Sequence, residues 1–462
     1  MNMKSDPGAT LAVRDLVPFR TAVRTWFLIS LETFGGPAGQ IAVMQRVLVD
    51  EKRWIGHRRF QHALNFCVLL PGPEAQQLAI YIGWLLNGRL GGLVAGVLFV
   101  LPGMVALLVL SVIYVAFGTV PVIMAVFAGV AAATLPIVAQ AVVRVGKRAL
   151  SHPVLAALAL AAFVALASFA VPFPAVIAAA GLAGWVLNRA APGAIVAGPE
   201  KDGADTVPPV IADDALHADR LSGARTGLIL AAGLVLWFLP IVAVVLWTGP
   251  GSALTQQGLF FSGAAVVTFG GAYAVLSYIA QQAVDVFHWL SPGEMVRGLA
   301  LAETTPGPLI MVVQFVAFVG AYRHPGNLDP WVAAFIGALL TTWVTFVPCF
   351  LFIFLGAPYV ERLRDNRTLA GILAGITAAV VGVIANLALY FAVDVFFSQT
   401  TALDWGPVHL RLPDPGAVNP VAAVIAAAAG LMIFRFRFSA LRTIGVCAVL
   451  GLGAGLAGLP LG

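Results

Sequence analysis

The sequence predicts an all-α polytopic membrane protein with two inverted repeats of about six hydrophobic segments, joined by a linker and one extra crossing. Three observations predict this fold class. Of 462 residues, 60% are apolar and 10% are charged, whereas an ordinary soluble domain has about 25% charged residues. Long apolar runs such as 93–117 recur along the chain, as expected of membrane helices. Spaced turn residues beginning at Thr33 return in the second half from Thr268 onwards.

Thirteen apolar segments divide the chain into six, one and six. The first six run approximately over 24–49, 60–86, 91–117, 121–146, 153–170 and 172–189. A seventh covers 226–248, and six more lie near 257–283, 297–321, 331–356, 369–397, 418–434 and 440–461. A single crossing between the two sets makes the second set begin on the opposite side of the membrane. This is the condition for an inverted repeat.

Four regions follow from this division. They are a first repeat (1–190), a polar cytoplasmic linker (191–225), a connecting transmembrane helix (226–248) and a second repeat (249–462). The linker is interpreted as flexible because it is rich in Pro, Asp and Gly. The first eighteen residues lack an apolar core followed by a cleavage site. The first apolar segment is therefore expected to direct insertion.

The distribution of basic residues bears on how the first segments of each repeat cross the membrane. If every segment crosses, the loop 50–59 with its four Lys and Arg residues lies outside, against the positive-inside rule. If those segments are instead broken, re-entrant hairpins, the loop is cytoplasmic and only Arg297, Arg323 and Arg411 lie outside. The hairpin arrangement is favoured and the crossing arrangement stays open. Both place the N-terminus in the cytoplasm and the C-terminus outside.

Two broken segments are repeated. Thr33-Phe34-Gly35-Gly36 returns as Thr268-Phe269-Gly270-Gly271, and Pro71-Gly72-Pro73 returns as Pro306-Gly307-Pro308. A single Pro-Gly-Pro is more often a kink or a helix end than a ligand site. However, bilayer depth tolerates broken helices only where they are buried in protein or line a cavity. Matching breaks in two repeats therefore point to a transport site.

These breaks are predicted to bind an anion. A proline at the first helical position marks a helix N-terminus, where free N–H groups and the helix dipole favour negative charge. Two opposed N-termini could hold one dianion, with the Thr304 and Thr305 hydroxyls as added donors. The predicted substrate-binding residues are Gly35, Gly36, Pro37, Gln40, Pro71, Gly72, Pro73, Glu74, Gln77, Gly270, Gly271, Thr304, Thr305, Pro306, Gly307 and Pro308.

Few ionisable residues lie inside the apolar segments, and charge at that depth is usually functional. Glu74 and Glu303 flank the two Pro-Gly-Pro turns and could carry a proton coupled to transport. The alternative is that each acid only complements a helix dipole. Arg46 could pair with an anion, although snorkelling to the cytoplasmic interface is slightly favoured.

Other classes of function find little support in the sequence. A GxxxxGK[ST] loop for ATP is absent, and so are a Rossmann fingerprint and clustered metal or haem ligands. The three cysteines lie singly in apolar segments and are assigned to packing. We therefore expect no catalytic residue, metal, cofactor or nucleic-acid partner. The expected partners are the lipid bilayer and an anionic ligand, and a homodimer stays open.

The motifs resemble those of a known family. The first half contains Phe34-Gly-Gly-Pro-Ala-Gly-Gln-Ile41, then Trp54, then Pro71-Gly-Pro-Glu-Ala-Gln-Gln-Leu78. This series, repeated in degenerate form after a central linker, is similar to the chromate ion transporter family in its long, two-domain form. The family positions carried over are Gly35, Gly36, Pro37, Gln40, Pro71, Gly72, Pro73, Glu74 and Gln77. The second half departs from them, with Ala272, Leu309 and Val312 in place of Pro37, Glu74 and Gln77.

The resemblance implies a protein of the bacterial cytoplasmic membrane that exports chromate and confers chromate resistance. It also implies coupling to the proton-motive force or to anion exchange. Sulfate is implied as a second ligand because both ions are tetrahedral dianions. A sulfate or oxyanion importer and a passive anion channel remain as alternatives.

Overall fold

The computed structural model describes residues 16–190, 210–211, 223–269, 271–357 and 367–460. Gly270 and nearly all of the predicted linker lie outside these ranges. Ile211 is buried against the loop that follows the second helix, where its N–H donates to Trp54 O at 3.0 Å and its carbonyl accepts from Gly56 N at 3.2 Å. This part of the linker is therefore docked.

The first half contains seven helices within the described residues. They are α1 (Phe19–Glu32), α2 (Gly36–Gln45, continued by a π-turn over Arg46–Glu51), α3 (His57–Leu69), α4 (Glu74–Phe117), α5 (Pro121–Ala149), α6 (Pro153–Phe169) and α7 (Phe173–Ala190). The helix α4 is interrupted by non-helical backbone at Asn87 and Gly88. Its first part is therefore a short helix like α1 to α3.

The connecting helix and the second half follow the same order. They are α8 (Gly223–Thr248), α9 (Ala253–Val267), α10 (Ala272–Gln281, continued by a π-turn over Gln282–Val286), α11 (Pro292–Thr304), α12 (Val312–Arg323, preceded by a 3-10 turn over Leu309–Met311), α13 (Pro330–Gly356), α14 (Arg367–Phe396), β1 (Thr400–Trp405), β2 (Val408–Pro413), α15 (Pro420–Gly430, continued by a π-turn over Leu431–Arg435) and α16 (Ala440–Leu456).

The helical membrane class is confirmed. Six helices among the described residues are long and apolar enough to span a membrane: α4, α5, α7, α8, α13 and α14. Four shorter apolar helices accompany them. The prediction of an all-α chain was incomplete, because β1 and β2 pair antiparallel with Thr400 opposite Pro413 and Trp405 opposite Val408. This hairpin lies between the predicted apolar segments 369–397 and 418–434, and Gly406 in its turn takes a positive φ of 59°.

The first short helices fold back on one another. The Arg46 guanidinium, after α2, bonds the carboxylate of Glu32 at the end of α1 at 2.5 Å. The start of α1 also lies beside the end of the first part of α4, because Leu16 N donates to Leu86 O at 3.0 Å. In the second half, Arg323 at the end of α12 bonds Glu294 at the start of α11 at 2.6 Å. Each half therefore contains short helices that are paired through their side chains.

Helices of the two halves contact each other reciprocally. The helix α5 contacts α16, and their equivalents, α14 and α7, contact each other in the same way. An added Cβ at Gly129 of α5 would lie 2.1 Å from Cys447 O of α16, and one at Gly375 of α14 would lie 2.3 Å from Ala180 O of α7. These close crossings pair each half with the other. The second part of α4 runs antiparallel to α13, since Gly92 faces Phe354 and Gly96 faces Phe350.

Candidate functional site

The repeated breaks meet through reciprocal backbone hydrogen bonds. Gly72 N donates to Thr268 O at 2.8 Å, and Gly307 N donates to Thr33 O at 2.9 Å. Each Pro-Gly-Pro turn therefore contacts the first break of the other half. The sequence-predicted breaks are thus brought to one place.

Glycine is required at these turns for two reasons. Gly72 and Gly307 have φ of 118° and 98°, in the region that side chains other than glycine rarely adopt. The turns are also closely packed: an added Cβ at Gly72 would lie 3.0 Å from Cys349 Sγ. On the other side, an added Cβ at Gly103 would lie 2.2 Å from Pro306 O. Sequence reasoning missed Gly103 and Cys349, because each lies in the middle of a long apolar helix.

Side chains from both halves converge on the tips of the breaks. Buried Gln40 donates its Nε2 hydrogen to Gly307 O at 2.5 Å. An added Cβ at Gly36 would lie 3.6 Å from the hydroxyl oxygen of Tyr273, and one at Gly271 would lie 3.9 Å from Glu74 Oε1. Gly36, Gly271, Gln40 and Glu74 therefore share one region.

Glu303 is the most enclosed acid of this region. Its side chain is 1% exposed, and Oε1 accepts a hydrogen bond from the Tyr273 hydroxyl. Its second oxygen, Oε2, is buried without a hydrogen-bond partner among the described residues. Arg144 of α5 is close enough for its charge to act on both Glu303 and Tyr273. A buried carboxyl group with one unpaired oxygen can hold or release a proton, or accept a donor that arrives with a ligand.

Two glutamines occupy the first turn of α4 after the Pro-Gly-Pro. Gln77 donates its Nε2 hydrogen to Pro71 O at 2.6 Å, which closes the turn. Neither the oxygen nor the nitrogen of the Gln76 side-chain amide, which is fully buried, has a hydrogen-bond partner in the described part of the chain. Buried polar groups are normally paired. Gln76 is therefore a free donor and acceptor beside the break.

Some predicted donors are already engaged. The Thr304 hydroxyl donates to Leu301 O at 2.7 Å and the Thr305 hydroxyl donates to Ala302 O at 3.0 Å. Both hydroxyls bond within their own helix, as threonines near a helix C-terminus readily do. The N–H groups of Gly72 and Gly307 are used between the halves. In this conformation the remaining amides are those of the first turns of α2, α4 and α10 and of the 3-10 turn before α12. Gly270 lies outside the described residues.

Comparisons with known proteins agree on the family. The family profile described as Chromate transporter matches residues 20–185 and 255–452. A chromate transport protein of Pseudomonas aeruginosa is 30% identical over 405 residues, covering 86% of each chain. One from Cupriavidus metallidurans is 28% identical and covers 87% of this chain and 91% of its own.

More distant relatives fit the same group. A probable chromate transport protein of Synechococcus elongatus is 27% identical over 93% of this chain and 99% of its own. No solved structure matches the chain significantly. The matched family segments contain both pairs of breaks, and the relatives cover most of the sequence. The chain therefore belongs to the chromate transporter family.

Proposed function

We propose that this protein is a secondary transporter that exports chromate from the cytoplasm of a bacterium and so confers chromate resistance. The observation that carries the proposal is the reciprocal meeting of the two Pro-Gly-Pro turns with the opposite breaks. Its substrate class comes from the relatives named chromate transport protein. Sulfate, a tetrahedral dianion of the same charge, is the proposed mimic.

The binding site is proposed at the meeting point of the breaks. Helices α2, α4 and α10 and the 3-10 turn before α12 all begin there. Helix N-termini attract anions, so four of them from two halves suit a doubly charged ligand. The site is made of Gly35, Gly36, Pro37, Gln40, Pro71, Gly72, Pro73, Glu74, Gln77, Gly271, Pro306, Gly307 and Pro308, with Gln76 as an added donor. Thr304 and Thr305 shape the turn, and Gly270 is retained from the sequence prediction.

The inverted orientation of the two repeats belongs to the same proposal. It is supported by the antiparallel contact of α4 with α13, which are equivalent helices. Two of the three basic residues expected outside, Arg297 and Arg323, are linked at one end of the molecule. Arg297 donates to the Tyr114 hydroxyl at 3.4 Å, Tyr114 donates to Glu294 at 3.1 Å, and Glu294 pairs with Arg323. The opposite end carries the start of α1, where Leu16 N donates to Leu86 O. We place this end in the cytoplasm and the C-terminus outside.

The membrane potential favours export of this ligand. Moving one elementary charge across 100 mV changes the free energy by about 2.3 kcal/mol. At this potential, export of a dianion from an inside-negative cell therefore releases about 4.6 kcal/mol of free energy. Glu74 and Glu303 are the proposed proton carriers. A protonated carboxyl would not repel the dianion at the breaks. The protonation state of these acids would then set the affinity of the site for the anion.

The test is uptake of radiolabelled chromate into inside-out vesicles with a pH gradient and a potassium diffusion potential imposed separately. We expect uptake into vesicles that contain the protein and none in vesicles without it, with competition by sulfate. Preloaded unlabelled anion should accelerate uptake, because a carrier exchanges its ligand. Flux without this acceleration would indicate a channel. Uptake only in right-side-out vesicles would indicate an importer.

A further inference from the structure

A charged cleft lies between α1 and the π-turn that follows α2. Its volume is about 600 Å³, and its charged lining residues are Arg20, Arg24, Glu32, Arg46, Glu51 and Lys52. It is separate from the meeting point of the breaks. None of its six charged residues belongs to the site proposed above.

The cleft extends from the N-terminal end of α1 to the first break. Arg20 and Glu32 are twelve positions apart on α1, which corresponds to about 18 Å at about 1.5 Å per residue. Glu32 is followed directly by Thr33, whose carbonyl bonds Gly307 N. One end of the cleft therefore adjoins the proposed anion site.

The end of the cleft next to the first break carries charged side chains that remain exposed. The side chains of Glu32 and Arg46 are 54% and 49% exposed, although they pair at 2.5 Å. Charged groups at bilayer depth face the protein interior or a water-filled cavity, because contact with lipid costs several kcal/mol. The simplest environment that satisfies both residues is water that enters along α1.

Positive charge dominates this cleft. Arg46 is held between Glu32 at 2.5 Å and Glu51 at 2.8 Å. Arg20 and Arg24, one turn apart on α1, have no ion-pair partner within the described ranges. With four basic and two acidic residues, the lining is net positive, and such a cleft concentrates anions. It therefore suits a small anion that approaches from the end of α1.

The second half lacks this charged lining. The positions equivalent to Arg24, Glu32 and Arg46, each 235 residues further on, are Leu259, Val267 and Gln281. A pair needed only to close the helical hairpin would be expected in both copies. The charges are instead confined to the first half.

We infer that this cleft is the cytoplasmic access path for the oxyanion, with Arg46 as its inner docking residue. The anion displaces Glu32 from Arg46 and then moves past Thr33 to the breaks. This inference rests on the proposed function. A lipid headgroup or a second copy of the chain in the cleft would exclude water from it. The accessibility of the cleft to water-soluble reagents therefore decides among these occupants.

The experiment compares two neighbouring positions of α1. Leu28 lines the cleft, whereas Phe27 is similarly exposed, at 44% against 49%, but does not line it. The native cysteines are buried free thiols, so L28C and F27C can be labelled selectively. We expect an anionic, membrane-impermeant methanethiosulfonate to modify L28C in inside-out vesicles about tenfold faster than F27C. Sulfate should slow the reaction of L28C.

A second variant tests the role of the charge. Adding R46Q to L28C should lower the rate of the anionic reagent about tenfold and leave that of a neutral reagent unchanged. Equal labelling of L28C and F27C, labelling of L28C only from the outer face, or no effect of R46Q would overturn the inference. These rates do not require transport. A wild-type protein that carries no chromate would refute the proposed function while the labelling result stood.

Discussion

The two Pro-Gly-Pro turns have the same backbone and different side chains. Both central glycines have positive φ, and each donates its N–H to a threonine of the other half. The first turn is followed by Glu74, where the second has Leu309. The second turn instead has Glu303 before it, where the first half has Val68. The backbone that brings the breaks together is conserved between the copies, while each copy supplies its acid from a different position.

The first break of each half also has different surroundings, charged in one half and apolar in the other. Beside the first-half break lies the charged cleft. Beside the second, Val267 and Phe269 line a cavity of about 600 Å³ whose other lining residues, on α7 and α14, are apolar. The second half also buries α12 from Val312 to Ala321, including Gln314. The comparison indicates that the first half provides the polar approach and the second half provides the rigid core.

The largest effect on transport is expected where the backbone of α4 meets the second Pro-Gly-Pro turn. In G103A the new methyl group would lie 2.2 Å from Pro306 O, so the second turn must move. Raising the activation free energy of transport by about 1.4 kcal/mol already reduces the rate tenfold. We expect chromate flux to fall at least about tenfold, with G72A next, since its neighbours at 2.9 and 3.0 Å are side-chain atoms.

The matched control for these variants is G263A in α9, where an added Cβ meets nothing within 4 Å. It should transport normally. Membrane content is measured by quantitative immunoblotting to separate folding from flux. Normal flux in G103A at wild-type abundance would show that the second turn does not need its close packing on α4.

The sequence was sufficient to identify the breaks because turn residues inside apolar segments are conspicuous. Gly35, Gly72 and Gly307 were recognised from their repetition, and the positive φ values explain why glycine occurs there. The sequence could not show that the N–H groups of Gly72 and Gly307 form hydrogen bonds to the opposite half. Such bonds depend on how the repeats pack, and local sequence does not encode that packing.

Residues that act through packing were also beyond the reach of the sequence. Gly103 and Cys349 occupy equivalent positions in α4 and α13, and each contacts the turn of the opposite half. The sequence assigns Cys349 to packing, but nothing in an apolar run shows that Cys349 or Gly103 packs against a turn. The β1–β2 hairpin was not predicted, because the residues between the apolar segments 369–397 and 418–434 form no long apolar run.

Acid removal sharpens the comparison at the next level of effect. E303Q neutralises an acid that is 1% exposed and whose Oε2 is unpaired in the described structure. We expect it to abolish the dependence of chromate flux on the pH gradient and to lower flux about tenfold, because an ionisable group at bilayer depth is functional by default. Y273F should have a smaller effect, since it removes only the hydroxyl that bonds Glu303.

E74Q provides the comparison from the other half. Glu74 is only partly buried and lies near Gly271. If both acids carry the proton, E74Q and E303Q will alter the pH dependence equally. An altered dependence in E303Q alone would assign coupling to the second half. An unchanged dependence in both variants would remove proton coupling from these residues.

A smaller effect is expected at Gln40, whose second-half equivalent is Val275. Q40V makes the first half resemble the second and leaves Gly307 O without its buried donor at 2.5 Å. An unsatisfied buried acceptor costs about 1–3 kcal/mol. We expect the melting temperature of the purified protein to fall by a few degrees, about 2–4 °C per kcal/mol. Q40N, which keeps the amide on a shorter side chain, is the control, and an unchanged melting temperature in Q40V would mean that this contact does not stabilise the turn.

The smallest effect is expected at Cys349, whose side chain lies against Gly72, whereas the equivalent Gly103 brings its backbone directly against the second turn. C349A removes one sulfur from a buried site that contains no disulfide, and a buried free cysteine behaves as a small apolar side chain. Chromate flux should therefore stay within about twofold of wild type, because the loss is about one methylene-sized group. In the G72A background, C349A should restore part of the flux, since it removes one of the two nearest neighbours of the new methyl group. A severe loss of flux in C349A alone would show that the thiol has a role beyond packing.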